Sequence, residues 1–146
     1  TDDDWITTNS IGATVSFDAL LDNSVSSIEI GQLVYLTSTG TVRLANASSI
    51  ATAVVAGVAT NTANAGQTVT VGTSTSILVP DLSVCVDGAT SSSSLTIGAA
   101  YYLSSLTAGN WTATPDTTTT NKVVAPVGFA VASNRLSLDV DNTTIV

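Results

Sequence analysis

Residues 30–71 and 97–140 carry one pattern twice, and this repetition constrains the fold more than any other feature of the chain. Each copy opens on Ile-Gly and a short aromatic strand, Gln32-Leu33-Val34-Tyr35-Leu36 against Ala99-Ala100-Tyr101-Tyr102-Leu103. Each turns at a glycine, Gly40 or Gly109, and returns through Thr41-Val42-Arg43-Leu44 or Asn110-Trp111-Thr112-Ala113. After a polar loop comes an apolar run, residues 53–59 or 123–131, and each copy closes on an alternating strand, residues 68–71 or 136–140. Alternation with period two is the signature of strands with one buried face. Two copies of about 70 residues are too long and too few for a solenoid. The pattern therefore predicts a duplication inside one compact body, or two small lobes sharing a core.

Composition points the same way. The 146 residues are enough for one core, and they are rich in Thr, Ser, Ala and Val with only 10% charged residues. Helix formers for an exposed face are scarce while β-branched residues abound, which predicts an all-β protein, a compact β-sandwich or β-barrel. The expected layout is a single domain. An N-terminal arm spans residues 1–8, a first repeat 28–71, a connecting hairpin and linker 72–94, and a second repeat 95–140. Mean hydropathy is +0.42, yet the most apolar run, residues 50–59, falls short of the roughly 20 residues a membrane helix needs. So apolar a surface with so few charges predicts burial between subunits, hence an oligomer.

The net charge of −8 comes from eleven acids against Arg43, Lys122 and Arg135. It opposes binding to DNA or RNA, whose phosphates need a basic surface, and to anionic membranes. The acidic start, Thr1-Asp2-Asp3-Asp4-Trp5, lacks the basic opening of a signal peptide, so synthesis in a cytoplasm is expected. Cys85 has no partner for an intrachain disulfide and lies in a strand-like run, residues 82–86, as a small buried side chain.

Local signals fill in the rest. Residues 11–22 fit either a strand or a turn of helix; a strand leading into a short helical turn is favoured. Gly57 and Gly128 sit at matching places inside apolar runs, where glycine marks a bulge or a close backbone approach. Pro126 nearby places its strand at a bulge or an edge. Trp111 against Val42, and Ala113 against Leu44, exchange large for small as a core of fixed volume requires.

No chemistry emerges with force. Without histidine there is no Ser-His-Asp or Cys-His catalysis and no common zinc site, and no glycine-rich phosphate loop is present. No enzyme activity, cofactor or metal is expected. Asp139, Asp141 and Asn142 could offer oxygens to Ca²⁺, but a solvated strand end is the simpler reading. Asp81 and Asp87 read as turn residues. Tyr35, Tyr101, Tyr102 and Trp111 could line a sugar-binding face, although packing is their default role. Contact residues are expected outside the strands: Trp5 and Ile6 on the arm, and Pro115, Asp116 and Asn121 on the polar loop of residues 115–121.

The order Ile-Gly-x-x-Val-Tyr-Leu, Gly-x-Val, Val-Ala-Gly-Val-Ala, Ala-Gly-x-x-Val-x-Val, met at residues 30–71 and more loosely at 97–140, resembles sequences of tailed-bacteriophage virion proteins. It is most similar to capsid decoration, or cement, proteins, and related patterns occur in tail-fibre modules. The second copy departs at Tyr101-Tyr102 and at Val127-Gly128-Phe129-Ala130. The resemblance implies a β-rich structural protein on the outer surface of a phage head. It would bind the major capsid protein and tie its neighbours together, as a homotrimer. The alternative it leaves is a tail-fibre or receptor-binding module that recognises host surface glycan.

Overall fold

The computed structural model describes residues 15–139 and the backbone of Thr144–Ile145. The chain is all-β, as expected. Its strands are β1 (Val15–Leu20), β2 (Ser27–Ile28), β3 (Leu33–Leu36), β4 (Val42–Leu44), β5 (Gly57–Ala59), β6 (Ala63–Asn64) and β7 (Thr68–Ser74). Then follow β8 (Ser76–Leu78), β9 (Ala100–Leu103), β10 (Trp111–Thr112), β11 (Val123–Val124), β12 (Pro126–Ala132), β13 (Arg135–Leu138) and β14 (Thr144–Ile145). Two 3-10 turns, Ile50–Thr52 and Leu82–Val84, interrupt them.

Two five-stranded antiparallel sheets have the same strand order, β1-β7-β5-β3-β4 and β8-β13-β12-β9-β10. Their registers also agree. Leu33 pairs with Val58 as Ala100 pairs with Phe129, and Val34 with Gly57 as Tyr101 with Gly128. Leu36 faces Val42 as Leu103 faces Trp111, and Ala59 faces Val71 as Ala130 faces Leu136. On the outer strand, Val71 meets Phe17 as Leu136 meets Ile77. A lone parallel bridge then joins the segment beyond that strand to the opposite edge, Leu21 to Val42 and Val86 to Trp111. Each sheet thus rolls towards a small barrel, the arrangement that leaves fewest bare strand edges. The matching unit starts at β1 in one half and at β8 in the other, earlier than Ile30 and Ile97. Ser76–Leu78 therefore belongs to the second sheet.

Burial follows the alternation of the strands. The first barrel encloses Leu21, Val34, Val42, Ala59, Val69 and Val71, with Ile28 and Ala63 of the β2–β6 ribbon. A second core fills the other barrel with Trp111, Tyr101, Leu103, Ala130 and Leu136. That core also takes in Leu33, Ala45, Ala47, Ala53 and Val58 from the first half, so the two barrels share it. Main-chain bonds sew the seam: Leu33 N–H donates to Gly109 O at 2.8 Å, Gly109 N–H to Ala45 O at 2.6 Å and Ala47 N–H to Ser104 O at 2.9 Å.

Several local expectations need correction. Residues 15–20 are extended to the end, with no helical turn: Leu21 bridges to Val42, and Asp22 opens a turn by accepting from Ser24 N–H at 2.9 Å. Residues 82–86 are not a strand. Asp81 caps the 3-10 turn there by accepting from Ser83 N–H at 3.0 Å, a local bond that outcompetes the β-propensity of Val84 and Val86. The apolar run at 53–59 is buried only in part, since Val54 is exposed and β5 begins at Gly57. The run at 123–131 is divided between β11 and β12, and Phe129 and Val131 face outwards. Pro126 does mark a bulge, a register shift between Pro126 and Gly128, but β12 is the middle strand of its sheet and no edge. Proline is tolerated there because it opens the strand.

Candidate functional surface

An open groove of about 860 Å³ lies on the second barrel. Its walls come from the turn after β9 (Ser104, Ser105, Leu106), the strand end at Thr112 and the loop carrying Asp116, Thr119 and Lys122. Asp87 and Gly88 also line it. Of the predicted loop contacts, Asp116 lines the groove, while Pro115 and Asn121 flank it in the same loop and are not part of its wall. Trp5 and Ile6 lie outside the described residues.

Asp116 shapes its loop. Its Oδ1 accepts from the N–H groups of Thr118 and Thr119, both at 3.0 Å, and from Thr118 Oγ1 at 3.3 Å. These bonds, that from Thr119 foremost, favour the ionised form and hold the carboxyl at about 2, below its ordinary 3.8. The loop leaves through Asn121 in the left-handed region, φ 71°, a conformation that asparagine tolerates better than most side chains.

A pair of aspartates at matching positions, Asp22 and Asp87, anchors both barrels. Asp87 was expected as a turn residue; its carboxylate accepts from Ser104 Oγ at 2.5 Å and from Asn110 Nδ2 at 2.9 Å. Ser104 Oγ in turn accepts from the N–H groups of Leu106 and Thr107, both at 3.0 Å, which fixes the groove wall. In the first barrel Asp22 stands where Asp87 does. It accepts from Thr41 Oγ1 at 2.8 Å, and Thr41 Oγ1 shares a 2.8 Å bond with Thr37 Oγ1. The Ser24 N–H, before other contacts, holds Asp22 well below the usual carboxylate range, and Arg43 Nε lies 3.4 Å away. Thr37 and Thr41 occupy the places of Ser104 and Asn110. The available signal was an apolar residue, Asp and a turn former, Leu21-Asp22-Asn23 and Val86-Asp87-Gly88, ahead of each Ile-Gly.

The aromatic side chains do not assemble a sugar-binding face. Trp111 and Tyr101 are buried in the second core, and Trp111 Nε1 donates to Gly31 O at 2.7 Å across the seam. Of these four, Tyr35 and Tyr102 are partly exposed, on different barrels. Cys85 is buried, as expected, and burial pushes its thiol up to about 12. Among the described residues no group of three or more His, Cys, Asp or Glu could hold a metal ion. Asp139 is exposed at the end of β13, and its Ca²⁺ partners Asp141 and Asn142 lie outside the described residues. No described helix is long and apolar enough to cross a membrane. No family model matches the chain, and no curated protein matches it.

Proposed function

We propose that the chain is a structural virion protein of a tailed bacteriophage. It would act as a homotrimer on the outer head surface, where it binds the major capsid protein and stabilises contacts between its neighbours. The observation that carries this reading is a division of labour. The residues of the phage-like pattern build two matching barrels, and apolar side chains such as Ile97, Leu106 and Phe129 stay on the outside. The shared strand order and register are what an internal duplication would leave. A rigid, acidic body with exposed apolar faces suits assembly on a shell, and its charge keeps it from packaged DNA. Several modest contacts made at once gain affinity through effective concentration. Binding the assembled lattice better than its free subunits stabilises the lattice by mass action.

Quantified gels of purified particles test the reading. The protein should be present in proportion to the head lattice, and particles lacking it should lose head stability to heat or low salt. A few copies per particle, or heads of unchanged stability, would refute it. The open groove beside Asp116, which offers serine, threonine and aspartate side chains, favours adhesion to host glycan as the second reading. That module would appear in few copies at the tail and bind a glycan array.

A further inference from the structure

The matched registers allow each side chain in one barrel to be compared with its counterpart in the other, and the differences in burial fall into two sets. On the first barrel the outward side chains Leu33 and Val58 are 0% exposed, because the second barrel lies over them. Their counterparts on the second barrel are Ala100, which is exposed, and Phe129, which is 40% exposed. Ile30 packs against the shared core, whereas Ile97 is 69% exposed. The glycines tell the same story. A methyl group on Gly31 would meet Cys85 Sγ at 2.9 Å, and one on Gly98 would meet nothing within 4 Å.

The surface that does the covering shows the reverse. Cys85 of the second barrel is 0% exposed, its sulfur lying against Gly31 of the first. Its counterpart on the first barrel, Leu20, is 50% exposed. A methyl group on Gly109 would meet Leu44 across the seam at 2.8 Å, while one on Gly40 would meet nothing. Each chain therefore presents one bare copy of each side of its own internal seam. The side built around Phe129 and Ile97 is on the second barrel, and the side built around Leu20 and Gly40 is on the first.

From this we infer that a second copy of the chain covers these faces. The Phe129–Ile97 face of one molecule packs on the Leu20–Gly40 face of the next, repeating the contact between the two barrels. Such an interface is heterologous: two different patches meet, and successive contacts close into a ring when the rotation allows. Three chains joined this way would place six barrels around one axis. The inference deepens the oligomer proposed above and rests on it only for the number of copies. Its test reads mass in solution rather than binding to heads, so the two can fail separately.

The test uses Phe129→Asp and Leu20→Asp, both at solvent-exposed positions, in the full chain, with Ile97→Asp and Leu20→Arg as second variants of the two faces. Circular dichroism and a thermal melt establish that each variant is folded. By analytical ultracentrifugation the unaltered chain should associate, and every single variant should sediment as a monomer. Because Phe129→Asp keeps the Leu20 face and Leu20→Asp keeps the Phe129 face, mixing them should restore one contact and give a two-chain complex. Two chains carrying the same substitution should give none. A monomeric unaltered chain would leave these faces to a different partner and overturn the inference. So would folded variants that retain the full assembly, or a mixture that stays monomeric.

Discussion

Trp111 does two jobs that Val42, at the matching place in the first barrel, does not. Its ring fills the second core, and its indole N–H satisfies the Gly31 carbonyl at 2.7 Å across the seam. Trp111→Phe removes the donor and part of the volume, leaving a buried carbonyl unpaired. It should cost about 2–4 kcal/mol, seen as a lower urea midpoint at unchanged slope. A loss below about 0.5 kcal/mol would mean that the seam tolerates the unpaired carbonyl. Asp116 makes a prediction in pH. Its folded carboxyl titrates at about 2 against an ordinary 3.8, so its contribution is complete above about 3.8 and fades as pH falls through about 2. The stability difference between the natural chain and Asp116→Asn should therefore be flat near neutrality and shrink in that acid window. A carboxyl signal titrating near 4 in a ¹³C NMR series would contradict the loop bonds described for it. Neither role is visible in the one-letter text alone: the first needs Gly31 to lie against Trp111, 80 residues away in the chain.

At the scale of the elements, β5 and β12 are the middle strands of their sheets, and each carries a glycine that close approach requires. A methyl group on Gly57 would run into the carbonyl of Gly72, and one on Gly128 into that of Ser137, the matching residue of the neighbouring strand. The clash is with backbone, which cannot swing aside. Gly128→Ala should therefore destabilise the chain by about 3 kcal/mol, while Gly88→Ala, with open space around it, should cost only the strain of its positive φ. Equal melting temperatures for the two variants would refute the close approach. Here the sequence was informative, since glycine inside an apolar run predicted a bulge or a near contact. It misled where a local cap or a distant strand bridge overrides propensity. Asp81 turns residues 82–84 into a 3-10 turn, and the Leu21–Val42 bridge keeps the end of β1 extended.

For the whole molecule, the shared core makes the two barrels interdependent. Leu33, Ala47 and Val58 of the first half are buried among Cys85, Leu103 and Trp111 of the second, and main-chain bonds cross between them. The chain should unfold in one cooperative step, with far-ultraviolet circular dichroism and tryptophan fluorescence tracing the same urea curve. Separated transitions would show two barrels that fold on their own.

The sequence by itself determined the strand class, the paired hairpins, the glycine turns at Gly40 and Gly109 and the equivalence of Val42 with Trp111. Those properties are local or periodic, and a repeated pattern displays them twice. Tertiary structure alone decided where each matching unit begins, because β1 and β8 join through pairings to β7 and β13 rather than through resemblance to one another. It also decided which copy of a shared face is covered. Leu33 and Ala100, or Leu20 and Cys85, hold the same place in their barrels, and nothing in their local sequence separates buried from bare. The packing of one barrel on the other does so, because a head-to-tail contact uses one copy of each face and leaves the other free.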